Sequence, residues 1–504
     1  MTKLQTFKTG VCLAALFSGQ AALADVTAAQ VWENWKSSLD IYGDAGVTIG
    51  NEEIGDGTVT ITGLGLSMDD GDTAVTADMG TLTFTENGDG TVAITMAESV
   101  PISITSSDGS TADMSVTNSG LSMTASGDPD AINYDLSADK YSFQVDNITE
   151  NGQTIDADVL FAGNDVAGRY TVTNGDIRNL TYALTMGSVD LLVDVTDPDT
   201  NTVALISGKV NGLFVDADMD LPEDLSFDDP DNVDLTGFAV AANYGLNDGS
   251  YIFDISEGGE QVAGSVSTGS AAIDLGFDSD ALTYNVLTTD IAMDMVVPNV
   301  PVPGMQLPLK LSLAEYGIGV AMPLSKTDEP TDFAFGLNLT DLTINDEIWA
   351  MGDPAGALPR DPVTIKLDLA GTTQLFFDIL DPAQADAMAM AEVPGELHSL
   401  KLNELLVSAV GAKLDGTGDF TFDNTDFETI PDIPRPEGSV TLNLAGANAL
   451  IDTLIRMGLL PEDQAMGARM MMGMFARTTG DDQLSSTVEV NAEGHVIANG
   501  QRIR

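Results

Sequence analysis

The sequence predicts a β-dominated α+β protein, built as a long, curved antiparallel β-meander with a few capping helices. Three observations support this class. Apolar and polar residues alternate with period two from about residue 45 to 295, in a region rich in Thr, Val and Ile. Asn-Gly and other Gly-containing turns separate the alternating runs. Hydrophobic residues make up 43% of the chain, which is too large a share for an acidic disordered chain.

The N-terminal segment has the layout of a secretory signal peptide. Lys3 and Lys8 precede an apolar stretch at 11–17, and Ala22-Leu23-Ala24 fits a signal peptidase site. We therefore expect cleavage after Ala24 and a periplasmic location. The apolar stretch is shorter than the roughly 20 residues that span a bilayer, so no integral membrane anchor is expected. Cys12 is the only cysteine, which predicts a mature chain without disulfides.

Residues 27–42 predict the first helix. Thr27 and Gln30 have capping-box spacing, and Gly43 is suited to end the helix. One stripe of the helix carries the apolar residues Val31, Trp32, Trp35, Leu39 and Tyr42. We expect the two tryptophans to cover one end of a sheet, and the alternative is that they line a ligand site.

The strand region has one irregularity and several predicted turns. Val59 and Ile61 alternate with threonines, whereas Leu64, Leu66 and Met68 continue in the opposite phase. The change at Gly63 predicts a bulge or a strand break. Turns are predicted at 86–90 and at the Asn-Gly pairs 151–152, 174–175 and 211–212. In all, about fifteen strands are expected before residue 300.

The C-terminal part mixes strands and helices. Strands are predicted at 331–342 and 362–371, a helix at 382–391, a hairpin at 402–422 around a turn at 414–418, a strand at 440–444, a helix that ends at Gly458, a second helix that begins at Pro461, and final strands at 484–491 and 495–504. Pro298, Pro301, Pro303 and Pro308 place a domain boundary near residue 300. This boundary separates an N-terminal helix and β region at 25–300 from a C-terminal α+β region at 301–504.

The charge disfavours two classes of partner and leaves two explanations open. With 78 acidic and 19 basic residues the formal net charge is −59, which repels nucleic acid and anionic membrane surfaces. The acidic surface serves either solubility or the binding of calcium or a basic partner. Acidic residues are dense at 69–72 and 216–234, yet neither run matches a calcium-binding EF-hand loop. Solvated turns are the favoured interpretation.

No catalytic motif is recognisable. His398 and His495 lack metal-ligand spacing, and no G-x-S-x-G, G-x-G-x-x-G or P-loop accompanies them. Chance pairs of carboxylates are abundant, and aromatic residues are only 6% of the chain, few for a carbohydrate site. The sequence therefore assigns no catalytic, cofactor-binding or metal-ligating residue, and we expect no enzyme.

Two C-terminal features have both a structural and a functional interpretation. The methionines at 466–474 are expected in the core, and the alternative is an adaptable binding surface. The proline-rich connector Trp349–Pro362 contains Arg360, which we expect to pair with Asp353 or Asp361 as a structural clamp. An anchor for a substrate is the alternative.

Several stretches of the C-terminal half carry a family resemblance. They are Ile348-Trp349-Ala350-Met351-Gly352-Asp353-Pro354, Leu358-Pro359-Arg360-Asp361-Pro362, Leu367-Asp368-Leu369-Ala370-Gly371, the hairpin Leu414–Phe420, Pro434-Arg435-Pro436-Glu437-Gly438 and Val496-Ile497-Ala498-Asn499-Gly500. Together they resemble the bacterial exported "domain of unknown function 2125" family over most of 300–504. That resemblance implies no activity and no catalytic residues. The order of hairpin, strand and helix is also similar to AsmA-like envelope proteins, which implies long curved sheets and lipid handling.

These observations lead to two functional hypotheses. The first is a soluble, non-catalytic periplasmic protein that binds an apolar or amphiphilic, lipid-like ligand in a β-sheet groove. The alternative is a structural or interaction protein of the cell envelope that acts through its acidic surface, with calcium as a candidate ligand. The expected partners are accordingly a lipid or another amphiphile, or an envelope protein.

Overall fold

The computed structural model describes residues 25–39, 46–69, 71–150, 152–175, 177–197, 200–222, 235–300, 305–391, 393–431 and 433–504. Strands account for 66% of the structure and helices for 11%, and neighbouring strands pair antiparallel. The predicted β-dominated α+β class is therefore confirmed. The predicted signal peptide, Tyr42, Gly43, Asp70 and the acidic segment 223–234 lie outside the described residues. Two compact units divide the chain between Thr202 and Val203.

The first unit contains one described helix and eleven strands. The helix is α1 (Ala28–Leu39), and the strands are β1 (Val47–Ile54), β2 (Thr58–Asp69), β3 (Thr73–Asp78), β4 (Thr81–Glu86), β5 (Val92–Thr95), β6 (Ser99–Ser106), β7 (Thr111–Ser119), β8 (Ser122–Asp128), β9 (Ala131–Glu150), β10 (Gln153–Thr173) and β11 (Ile177–Asp197). The predicted hairpin at 86–90 is confirmed, because Glu86 pairs with Val92 across the turn.

Short strands of the first unit follow one another end to end and act as halves of longer strands. β2 pairs with β4 through residues 58–62 and with β3 through residues 65–69, in one uninterrupted register. β9 likewise pairs with β8 through its first half and with β7 through its second half. The topology is therefore an up-and-down meander whose strands are kinked in the middle.

The core of this unit lies under α1. Trp32 is fully buried with its ring centroid 5.7 Å from that of Phe84, and Trp35 meets the same ring edge-on at 5.5 Å. Tyr134 and Tyr170 stack beneath them at 4.4 Å, and burial raises the pKa of both hydroxyls. The Tyr134 hydroxyl donates a 2.8 Å hydrogen bond to Asn34 of α1. The tryptophans thus cover one end of a sheet, as expected.

The second unit contains sixteen described strands and four described helices. The strands are β12 (Thr202–Pro222), β13 (Ala239–Leu246), β14 (Asp248–Glu257), β15 (Glu260–Thr268), β16 (Ala271–Phe277), β17 (Ala281–Pro298), β18 (Gln306–Pro323), β19 (Thr331–Ile344), β20 (Val363–Leu375), β21 (Gly395–Ala409), β22 (Ala412–Asp423), β23 (Arg435–Ala445), β24 (Arg477–Gly480), β25 (Gln483–Val490), β26 (Val496–Ala498) and β27 (Gln501–Arg502). The helices are α2 (Asp346–Gly352), α3 (Pro382–Met390), α4 (Ala447–Arg456) and α5 (Glu462–Phe475).

The second unit repeats the kinked meander. β12 pairs with β14 through its first half and with β13 through its second half, and β17 pairs in the same way with β16 and β15. From β17 the strands follow in order to β23, which then pairs with β25. The domain boundary predicted near residue 300 falls between β17 and β18, which pair from Ala281 with Pro323 to Pro298 with Gln306.

A transverse line of kinks, here called the crease, crosses the strands of each unit. In the first unit it passes through Gly50, Gly63, Gly80, Gly120, Asp139, Asp165 and Gly187, and in the second through Gly212, Asn247, Gly269, Asp290, Ala314 and Asp341. Several of these residues have positive φ, among them Gly63 at 66°, Asp165 at 52° and Asp290 at 49°. Asparagine, aspartate and glycine are the residues that adopt this conformation most readily.

The crease inverts the phase of the hydrophobic alternation without exchanging the faces of the sheet. In β10 the apolar positions are odd-numbered up to Phe161 and even-numbered from Val166. Two residues that lie opposite each other on paired strands, such as Asp165 and Gly187, both interrupt the alternation. Because each strand is interrupted by one residue at the same position, the pairing keeps its register. In β2, Val59 and Ile61 before Gly63 and Leu64 after it belong to one buried cluster. The phase change predicted at Gly63 is thus a kink within one continuous strand.

Two predicted turns are wrong, and glycine is the reason in both. Asn211-Gly212 lies inside β12, where Gly212 is part of the crease. The hairpin of β21 and β22 turns at Val410-Gly411, and the segment 414–418 is strand. A Cβ on Gly416 would lie 2.5 Å from the Leu442 side chain and 2.9 Å from the Thr441 carbonyl oxygen, so close packing between strands requires this glycine.

The left-handed backbone at the crease leads to a prediction about how a substitution at Gly63 changes stability. Gly63→Ala forces a β-carbon into left-handed backbone, which we expect to lower the free energy of unfolding by about 1 kcal/mol. Urea denaturation measures the change. Gly55→Ala is the matched control, because Gly55 has no positive φ and its nearest neighbour would be at an ordinary 3.5 Å. Equal stability of the two variants would contradict the role of left-handed backbone at the crease.

Candidate functional site

One face of the sheet in the second unit is apolar across ten of its strands, from β12 to β23. Directly paired residues of an antiparallel sheet share a face, so the register defines rows that run perpendicular to the strands. One such row consists of Val215, Tyr244, Ile273, Val286, Ile318, Leu337, Leu367, Leu405, Gly416 and Leu442. It crosses ten strands, which corresponds to roughly 43 Å at the usual strand spacing. This surface is called the apolar face below.

Neighbouring rows have the same character. The next row passes through Leu275, Tyr284, Val320, Phe335 and Leu369 and continues to Val440. Beyond the crease, Met293 and Met295 pair with Leu311 and Leu309. The apolar face therefore extends along the strands as well as across them.

The opposite face is mostly polar, and many of its side chains are hydrogen-bonded to one another. Asn443 donates a 2.9 Å bond to Asp415, and Lys310 forms a 2.6 Å ion pair with Asp294. Asn338 donates to Glu315 on the same face. The sheet thus separates a charged side from an apolar side, which is the pattern of a sheet with one solvated surface.

The apolar face is only partly shielded from solvent. Among the described residues from Val203 onward, the buried hydrophobic residues are Ala242, Leu313, Leu324, Ala465, Val490 and Ala498. Tyr244 of β13, Ile273 of β16 and Tyr284 of β17 retain 40%, 38% and 36% exposure. In the first unit, by contrast, α1 covers a core in which Trp32, Ile61 and Phe84 are fully buried. In the second unit α2 packs against β18, and α4 packs against β22 and α5.

A cleft of about 620 Å³ lies among the loops at one end of these strands. Its wall combines apolar Leu235, Leu324 and Leu380 with Asp378 and Asp381. Asp378 accepts hydrogen bonds from the Lys326 backbone N–H at 2.7 Å and from Gln384, which lowers its pKa. Asp381 caps α3 through the N–H of Ala383 at 2.9 Å. Both carboxylates are therefore occupied in holding the loops together.

The described residues assemble no recognisable catalytic constellation. His398 lies on β21, with Nε2 3.4 Å from the Glu396 carboxylate, and His495 lies in the turn after β25, so β22 and β23 separate them. Every described carboxyl group whose pKa departs clearly from its ordinary value is shifted downward, for example Asp353 and Asp482, whereas a general acid needs an upward shift. Within the same residues, no group of three or more His, Cys, Asp or Glu is placed to hold a metal ion. No described helix has the length and hydropathy to cross a bilayer.

The connector 349–362 is a clamp with different partners from those predicted. Arg360 pairs with Asp346 at the start of α2, so the predicted pairing with Asp353 or Asp361 is wrong. Asp353 is buried, and its carboxylate accepts the backbone N–H groups of Leu358 at 2.8 Å and Ala357 at 2.9 Å. Backbone donors, which the sequence does not reveal, therefore satisfy the residue expected to meet the arginine.

The methionine prediction is also wrong. Met466, Met470, Met471 and Met474 of α5 are 72%, 64%, 52% and 59% exposed, so these four side chains lie outside the core. Helical spacing identifies a shared side of a helix, but it does not tell which side the rest of the chain covers.

Arg435 fixes the start of β23. Its guanidinium donates to Asp423 at 2.7 Å, to Asp426 at 3.0 Å and to the Ala492 carbonyl at 2.8 Å. Three residues later, Gly438 has φ of 150°, and a Cβ there would collide with the Asp419 carbonyl oxygen. The motif Pro434–Gly438 thus ties four parts of the chain together, which is a structural task.

One family model matches this part of the chain. Residues 253–499 match the family model of DUF2125, an uncharacterized protein conserved in bacteria. The predicted resemblance is thereby confirmed. The DUF2125 match begins in β14, earlier than the predicted 300, and contains most of the apolar face. No curated protein and no solved structure matches the chain, so similarity to AsmA-like proteins stays a prediction.

The Arg435 clamp of the DUF2125 region predicts a pH dependence. Hydrogen bonds from Thr425 and from Arg435 lower the pKa of Asp423 from 3.8 to about 2. The unfolded chain therefore binds the proton more readily, so the stabilisation is complete above about pH 4 and disappears as the pH falls to about 2. We expect Asp423→Asn to destabilise the protein at neutral pH and to lose less stability on acidification than the wild type.

Urea unfolding between neutral pH and pH 2 tests this expectation. Asp135→Asn is the matched control, because Asp135 also pairs with an arginine, Arg169, at 2.6 Å, but with both side chains about half exposed or more. The control should follow the wild-type pH curve. Parallel curves for wild type and Asp423→Asn would contradict the clamp.

Proposed function

We propose that this protein is a non-catalytic periplasmic protein that binds an apolar or amphiphilic, lipid-like ligand on the apolar face of its second unit. The observation that carries the proposal is the continuous set of apolar rows, in which Tyr244, Ile273 and Tyr284 remain more than one third exposed. Contiguous exposed apolar surface of this kind is typical of sites that bind ligands, proteins or membranes.

The energetics favour an elongated apolar ligand. Each methylene group buried from water contributes about 0.8 kcal/mol, so an acyl chain laid along the rows gains affinity with every carbon. Binding also removes water from the side chains of the face itself. Such a site needs no charged anchor, which agrees with the small number of cations in the chain.

Specificity would come from the shape of the apolar face and from the difference between the two faces of the sheet. The opposite face is engaged in its own hydrogen bonds, such as Asn443 with Asp415, and offers little to an apolar molecule. Ligand contact is therefore expected on one side of the sheet only.

Periplasmic location is part of the proposal and rests on the pattern of residues 1–24. Amino-terminal sequencing of the protein recovered from the periplasm should begin at Asp25. Recovery of the uncleaved chain from the cytoplasm would contradict this part of the proposal.

Native mass spectrometry with lipid extraction tests ligand binding directly. The protein is purified from periplasm without detergent, and co-purifying lipid is expected on the wild type. Tyr284→Asn should lower the bound fraction several-fold, because it places an amide among the apolar rows. Ile273→Asn in the adjacent row should act in the same direction.

Leu287→Asn is the matched control for these variants. Leu287 lies on the same strand, β17, and is 46% exposed, but it shares the opposite face with Gly317 and Asn338. The control should retain wild-type lipid. A ligand-free mass for the wild type would overturn the proposal and favour an interaction protein that acts through its acidic surface, to be pursued by cross-linking and calcium titration.

A further inference from the structure

The exposed side of α5 is an apolar surface, separate from the apolar face, that has no partner among the described residues. Met466, Met470, Met471 and Met474, here called the methionine face, span an arc of roughly 140° at 100° per residue. All four side chains are more than half exposed, and Leu459 just before the helix is 61% exposed.

The other side of α5 is firmly attached to the fold. Ala465 is buried, and Arg469 donates to Asp452 of α4 at 2.6 Å and to the Asn448 carbonyl at 3.3 Å. At the C-terminal end, the Phe475 carbonyl accepts bonds from Ser486 at 2.5 Å and from Asn499 at 2.8 Å. The methionine face is therefore held outward by a fixed helix.

Cationic residues are concentrated around this helix. The segment 456–504 holds Arg456, Arg469, Arg477, Arg502 and Arg504, five of the 19 basic residues, against six acidic residues. Arg477 lies two residues after the end of α5, and Arg502 and Arg504 lie at and just after the end of the hairpin whose turn residue Asn499 is bonded to Phe475. In the part of the chain that the structure describes, these last three arginines form no ion pair. The local charge is thus close to neutral in a chain of −59.

The area of the methionine face favours a bilayer over a protein as its partner. A helix of 14 residues is roughly 21 Å long, so the face measures on the order of 250 Å². A stable protein interface needs about 800 Å² from each partner, which this face does not supply. A bilayer needs no matching surface, because each inserted side chain gains hydrophobic free energy independently.

The arginines near α5 also favour a phospholipid bilayer as the partner. Guanidinium groups form paired hydrogen bonds with phosphate, and phospholipid headgroups present phosphate at the depth where an interfacial helix lies. Repulsion from the remaining acidic residues is screened over about 8 Å at physiological ionic strength. We propose that the methionine face, with Arg477, Arg502 and Arg504, docks this protein on the surface of a phospholipid bilayer.

Flotation with vesicles of phosphatidylglycerol and phosphatidylcholine tests the proposal on the full mature chain. The triple variant Met466→Ser, Met470→Ser and Met474→Ser should reduce the vesicle-bound fraction at least about tenfold, since three apolar insertions are lost. Arg477→Gln with Arg502→Gln should weaken binding to the anionic vesicles and lower its dependence on salt. Folding is expected to persist, because all three methionines are exposed.

The chain offers a matched control in Met68, Met351 and Met390, which are 67%, 52% and 87% exposed and lie on other elements. Their triple substitution by serine should leave flotation unchanged. Tyr284→Asn separates this proposal from ligand binding on the apolar face: it should lose co-purifying lipid and still float. Flotation of the Met466/Met470/Met474 variant equal to wild type would overturn bilayer docking. So would a wild-type dimer, seen by analytical ultracentrifugation, that the same variant dissociates.

Discussion

The fold depends on keeping every apolar residue of a long strand on the same side of the sheet. Strict alternation achieves this only while each strand stays regular, and a single displaced residue would move all later side chains to the wrong face. At the crease both strands of a pair are displaced together, as Asp165 and Gly187 are, so pairing and faces survive together. A sheet of long strands can therefore bend locally and remain amphipathic.

This constraint explains which parts of the fold can be predicted from the sequence. Alternation identified the strand region, and the phase change at Gly63 located one point of the crease correctly. Glycine also led to predicted turns at Gly212 and Gly416, and both predictions are wrong, because a turn, a kink and close contact between strands all require glycine. Only the pairing partner, such as Leu442 opposite Gly416, distinguishes these cases, and partners are distant in sequence.

The candidate site was harder to predict for a related reason. Alternation shows that Ile273 and Tyr284 share a side with other apolar residues, but it does not show whether another layer covers that side. The same limit applies to α5, where helical spacing grouped the methionines correctly and placed them wrongly in the core. Burial depends on the whole arrangement of elements. In the first unit α1 supplies the covering layer over Phe84, whereas Tyr284 in the second unit stays partly exposed.

Several residues that carry the DUF2125 resemblance do structural work away from the apolar face, although Leu367 and Leu369 of the same stretches belong to it. Arg435 joins three segments, Asp353 closes a loop through backbone donors, and Gly438 permits a close strand contact. The apolar face itself is built from Leu, Val, Ile, Phe and Tyr at alternating positions, and exchange among these residues preserves its chemistry. The information that defines such a surface therefore lies in the register of the strands, which brings residues distant in sequence into one row.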